Sequence, residues 1–115
     1  MGQWKTIYKQ LSEDGIDVYS PGQHQGECIT PYTVVKIRTV SGISGYSSEQ
    51  AYYDIMCYIP KDQYSTLEDY VDQVKASMKK LYPTIMYDRF ETESYYDESV
   101  KGHMVSIQYR NNKKL

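Results

Sequence analysis

Two histidines, two cysteines and a run of carboxylates are the side chains in this sequence whose types and spacing would support chemistry. His24 and Cys28 stand three residues apart in the loop-like stretch Gly22-Gln23-His24-Gln25-Gly26-Glu27-Cys28, and together would supply two metal ligands. A structural zinc takes four ligands, usually in paired spacing, and the remaining candidates, Cys57 and His103, each stand alone. The expectation is an exposed loop histidine and a buried thiol, with no metal. His103 would serve as a general base only with a nucleophile and an orienting carboxylate beside it. Asp97 and Glu98 are the nearest acids in sequence, and nothing marks a nucleophile. A strand-end histidine with a hydrogen-bonded tip is the expected role. Asp88, Glu91 and Glu93 extend the acidic run, but acid–base work requires a desolvated member, and their polar flanks predict solvated charges. Gly42, Gly45 and Gly102 lack the spacing of a phosphate-cradling loop and its lysine–serine pair. No catalytic, cofactor-binding or metal-binding residue is assigned.

Composition points to contact surfaces instead. Fourteen tyrosines stand against one phenylalanine and one tryptophan. Tyrosine has an apolar body and a polar tip, which suits half-buried strand faces and protein interfaces. The chain of 115 residues fits one domain over residues 1–115. Its 13 basic and 15 acidic side chains nearly cancel, which argues against a dedicated nucleic-acid binder. No apolar leader and no membrane-length apolar run is visible, and Met1-Gly2 with Thr6 matches a lipidation pattern only weakly. A soluble chain made in the cytoplasm, with reduced, structural cysteines, is expected.

The elements that would position these residues follow from periodicity. Trp4, Ile7, Tyr8 and Leu11 share one stripe of a helix over 4–13, closed at Asp14-Gly15. A short strand over 16–19 leads into a Pro- and Gly-bearing loop over 20–31. The β-branched run 32–40 is a strand, with Val35 and Ile37 on one face and Lys36 and Arg38 on the other. A polar, glycine- and serine-rich link over 41–49 reads as a protruding loop. The strand 50–59 alternates, with Ala51, Tyr53, Ile55, Cys57 and Ile59 facing the core and Tyr52, Asp54, Met56 and Tyr58 facing a partner or a second layer. Ser65-Thr66-Leu67-Glu68 is a capping box that predicts a helix over 65–82, ended before Pro83. Strands over 85–92 and 103–109 flank a loop over 93–102, and residues 110–115 form a loose tail. The order α-β-β-β-α-β-β predicts an α+β fold, a mainly antiparallel sheet with two helices packed on one face.

With that order, the chain resembles the tail terminator or tail completion proteins of tailed bacteriophages and phage-tail-like particles. The resemblance is carried by Trp4-Lys5-Thr6-Ile7-Tyr8-Lys9-Gln10-Leu11, by Pro31–Ile37, by Gln50–Pro60, by the helix 65–82 and by Gly102–Arg110. It implies a structural, non-enzymatic virion protein of the head–tail joining region, or its counterpart in a phage-tail-like bacteriocin. Such a protein assembles in the bacterial host cytoplasm as a homo-oligomeric ring, usually a hexamer. It caps the head-proximal end of the tail tube and meets the tube protein, the sheath protein where the tail contracts, and the connector or collar proteins. DNA passes the lumen without specific binding. Tyr46, Tyr52, Met56, Tyr58, Tyr95 and Tyr96 are the expected subunit-interface residues. Three other roles compete: another connector or minor tail component, a small cytoplasmic ligand-binding domain that uses the tyrosine-bearing face, and an enzyme built on His103 with Asp97 and Glu98.

Overall fold

The apolar stripe near the N-terminus forms helix α1, Trp4–Glu13, which buries Ile7 and Leu11 completely. The structure, a computed structural model, describes residues 3–42 and 49–111. Gly15, with φ of +81°, turns the chain out of α1 in a conformation that favours glycine. Strand β1, Val18–Tyr19, follows and pairs in parallel with β2, Tyr32–Gly42. Strand β3, Glu49–Pro60, runs antiparallel to β2 and is flanked on its other side by β6, Gly102–Asn111.

Helix α2, Leu67–Lys79, connects β3 to strand β4, Ile85–Glu91, and a short strand β5, Tyr95–Asp97, precedes β6. The sheet order is β1-β2-β3-β6-β4. Strands β4 and β5 share the outer edge of β6, the first beside its C-terminal half and the second beside its start. Thr92 joins the two segments: its N–H donates to the Ser106 carbonyl at 3.0 Å, and its Oγ1 accepts from the Ser106 N–H at 3.0 Å. The architecture is α+β, six mostly antiparallel strands with both helices on one face. Strand β5 is additional to the expected order, since the stretch 93–102 reads as a loop in sequence.

The strand alternation places Val35, Tyr53, Ile55, Cys57, Ile107 and Tyr109 on the helix-covered face, where they pack with Ile7, Leu11, Val74 and Met78. Ile37 shares that parity but is 44% exposed at its rim. Polar groups inside this layer are paired, as buried groups must be. Thr33 Oγ1 and the Tyr70 hydroxyl lie 2.7 Å apart and fix α2 to β2. The Tyr53 hydroxyl accepts from the Gln3 N–H, and the Trp4 indole donates to the Val35 carbonyl at 2.7 Å, fixing α1 to the sheet. The capping box does not form. A 3-10 turn, Tyr64–Thr66, precedes α2, and Thr66 Oγ1 donates back to the Gln63 carbonyl at 2.8 Å, leaving no side chain capping the helix. The helix also ends earlier than expected, at Lys79, in successive turns before Pro83.

Both sheet edges are irregular. The β2–β3 register slips between Ile37 and Thr39, and the β4–β6 register slips between Tyr87 and Phe90, where Arg89 has φ of +59°.

Asp14 ties the two helices together at the end of α1. Its carboxylate accepts from the Ser77 hydroxyl, from Lys80 Nζ at 2.9 Å and from Gln10 Nε2 at 3.0 Å. These bonds favour the ionised form and lower the Asp14 pKa from 3.8 to about 2, the Ser77 bond contributing most. The folded-state pKa is depressed, so the contribution is present above the unfolded value and is lost as pH falls from about 4 towards 2. Asp14→Asn is expected to lower the melting temperature at pH 7 and to flatten its decline between pH 4 and 2; parallel pH profiles for the two proteins would contradict this role.

Candidate functional site

The sheet face away from the helices carries its own aromatic row. Tyr32, Tyr58, Met104 and Tyr95 are consecutive cross-strand neighbours on β2, β3, β6 and β5, and Val34, Met56 and Ser106 form the next row. The loop 20–31 folds over this end of the face. His24 stacks on Tyr32 with ring centroids 3.8 Å apart, and Tyr32 stacks on Tyr58 at 4.7 Å. Tyr19 meets both His24 and Tyr32 edge-on.

The loop is held by Cys28. Its N–H donates to the Val100 carbonyl at 2.7 Å, its Sγ–H to the Thr30 carbonyl at 3.5 Å, and its side chain packs with Tyr32, Tyr58 and Met104. Gly102 makes the close approach possible, since a Cβ there would lie 2.9 Å from both Cys28 Cβ and the Ile59 carbonyl oxygen. Burial pushes the Cys28 thiol up to about 11 and the Tyr58 hydroxyl up to about 12, and it raises Tyr32 as well.

A cleft of about 280 Å³ opens beside this column, lined among others by His24, Tyr32, Lys36, Met56, Tyr58 and Asp97. His24 Nδ1 is buried in it without a hydrogen-bond partner. His24 is thus a half-buried stacked ring, not the exposed loop histidine that its polar neighbours predict.

The candidates divide accordingly. Tyr58 is only 7% exposed, because the loop 20–31 covers the strand face that alternation assigns to a partner or a second layer, and supplies that layer. In the single chain it is packing material rather than an open contact residue. Tyr52 and Met56 are half-buried, and Tyr95 and Tyr96 are 51% and 40% exposed. Tyr46 lies outside the described residues.

Cys28 and Cys57 sit on opposite faces of the sheet, Cys57 in the helix-covered core with its thiol pushed up to about 12 by burial. The two cysteines therefore cannot share a metal ion. Among the described residues no three His, Cys, Asp or Glu side chains gather as a metal site would require. The His103 ring lies 3.1 Å, through Nε2, from the Lys61 carbonyl and meets Tyr64 and Tyr96 edge-on, matching the expected hydrogen-bonded strand end. Asp97 Oδ1 accepts from the Ser99 N–H at 3.0 Å and the Ser99 hydroxyl at 2.6 Å, which closes the turn before β6. Asp88 pairs with Arg110 and accepts from Gln108, and Glu91 pairs with Lys75 and accepts from Tyr87. These two acids are ion-paired members of the sheet edge, a correction to their expected solvation.

Two exposed apolar regions stand out, of which Tyr95 and Tyr96 alone were expected as contact residues. Tyr64 and Tyr96 meet His103 at the start of β6, and Tyr95 is exposed on the opposite face of β5, beside Met104. Along the other half of the same edge, a groove of about 480 Å³ lies between α2 and β4, walled by Lys75 and Lys79 and by exposed Tyr82 and Tyr87. Phe90 is exposed on the same strand. Tyr82 falls in a turn and Tyr87 at a helix-facing strand position, so periodicity assigns neither to a surface. No described helix is long and apolar enough to cross a membrane.

No protein-family model matches this sequence, and no curated protein matches it.

Gly102→Ala is expected to cost about 1–3 kcal/mol, the range for overpacking a close-packed site. Cys28→Ala should not rescue it, because the clashing Cβ and the Ile59 carbonyl both remain. Urea unfolding of the single and double variants checks this; a neutral Gly102→Ala would show that the loop does not depend on the close approach.

Proposed function

We propose that this chain is a structural assembly subunit of the tail-terminator kind, a ring former that caps the head-proximal end of a phage or phage-tail-like tube and joins it to the connector or collar. The observation that supports it best is the distribution of exposed aromatics along one sheet edge: Tyr64 and Tyr96, with Tyr95 on the other face, at one end, and Tyr82 and Tyr87, with Phe90 on the other face, along the rest. Exposed aromatic surface concentrated along one sheet edge in this way is characteristic of protein contacts. The bulges near Arg38 and Arg89 kink both sheet edges, which disfavours indefinite strand-to-strand addition. Side-chain contacts between unlike patches on successive copies are left as the means of association, and a heterologous contact of that type closes into a ring when its rotation allows. Near-zero net charge suits a lumen that DNA traverses without sticking.

A second role has one observation in its favour, the unpaired His24 Nδ1 in the outer-face cleft. A buried polar atom without a partner is costly, and a small ligand with a hydrogen-bonding group would relieve the cost. Ligand-induced thermal stabilisation that disappears in His24→Ala would favour a ligand-binding domain over the assembly role.

Purified protein added to polymerising tail tube is expected to give short tubes of uniform length, and electron micrographs of the protein alone are expected to show closed rings. Tyr95→Ser with Tyr96→Ser should weaken capping at least tenfold with little change in melting temperature, since both side chains are exposed. Tubes of unchanged length, or a strict monomer at high concentration, would defeat the proposal.

A further inference from the structure

Ile29 is the most exposed large hydrophobic residue described, at 76%. Isolated surface isoleucines are ordinary, but this one stands on a loop held with unusual care. The residue before it, Cys28, is buried and hydrogen-bonded to Val100, and Gly102 is bare so that Cys28 can approach. The backbone that carries Ile29 is therefore preorganised, which reduces the entropy lost when the side chain is taken up by a partner. Beside it, Glu27 is exposed and has no ion-pair partner among the described residues.

The α2–β4 groove has the complementary character. It is lined by Met78, Lys79, Tyr82, Ile85, Tyr87 and Tyr109, and it is predominantly apolar. Lys75 at its wall is engaged by Glu91, whereas Lys79 is exposed and has no ion-pair partner among the described residues. An apolar knob with an unpaired acid beside it thus faces an apolar groove with an unpaired base at its rim.

The two cannot meet within one chain. Cys28 packs at the Gly102 end of β6, while Ile85 lies opposite Asn111 at the other end. Ten residues of strand separate them by roughly 30 Å at about 3.3 Å per residue.

We infer that the Ile29 knob of one copy seats in the α2–β4 groove of the next, with Glu27 of the first copy meeting Lys79 of the second. The contact is heterologous, one patch against a different patch, and so propagates from copy to copy until it closes. It deepens the assembly role proposed above and rests on it.

The test uses the full chain in light-scattering chromatography over a concentration series. Ile29→Asp and Tyr82→Ser, both at exposed positions, should each shift half-assembly to at least tenfold higher concentration, with circular dichroism unchanged. Each variant keeps one intact half of the contact, so an equimolar mixture should form a one-to-one dimer and nothing larger. Glu27→Lys and Lys79→Glu should each weaken assembly, and the double variant should recover it. Wild-type rings that persist in Ile29→Asp and Tyr82→Ser would overturn this contact and leave the ring role standing. Wild-type open chains or dimers that depend on Ile29 would support the contact and overturn the ring. A monomeric wild type would overturn both.

Discussion

Everything else in this molecule depends on covering the central strand β3 on both sides. It is hydrogen-bonded to β2 and β6 along most of its length, and its side chains alternate between two faces that are both apolar at the Tyr58 end. One face is covered by the helices, through Ile55, Cys57 and Ile59 against residues such as Leu11 and Val74. The other has no helix, and the loop 20–31 supplies the missing layer with stacked rings and one buried thiol. A half-covered β3 would leave Tyr58 and Met104 in water; burying a large side chain contributes about 1.5–3 kcal/mol.

The elements with long, regular periodicity were legible in the sequence, because local spacing and long-range packing agree there. The stripe Leu67, Tyr70, Val71, Val74 and Met78 is buried as one side of α2, and the alternation from Ala51 to Ile59 sorts onto the core face. Strand β5 was not legible. It is three residues long, and what makes it a strand is the free edge of β6 beside it rather than its own pattern. Tyr58 illustrates the same limit in another way: alternation tells which side a residue takes but not what covers that side, and a loop closing from 30 residues upstream leaves no periodic trace. The capping box was outcompeted locally, since Thr66 turns its hydroxyl to the Gln63 carbonyl and the chain enters α2 through a tighter turn.

Of the candidate site, the individual side chains were legible and their groupings were not. His103 as a hydrogen-bonded strand end and Cys28 as a buried thiol follow from sequence position and residue type. The stack of His24 on Tyr32 and Tyr58 joins three segments, and the groove between α2 and β4 joins a helix end, a turn and two strands. Neither grouping exists in any local window. Electrostatics divides the surface similarly: Asp14, Asp88 and Glu91 are consumed in holding helices and strands together, while Glu27 and Lys79 have no ion-pair partner among the described residues.

The separation of the two cysteines by the sheet keeps disulfide chemistry out of the fold. Each thiol is buried, each is held protonated by its surroundings, and the six strands stand between them. No disulfide can close inside the chain, and neither sulfur is presented for one between chains. A change of the surrounding redox poise therefore adds no covalent cross-link to the chain and removes none.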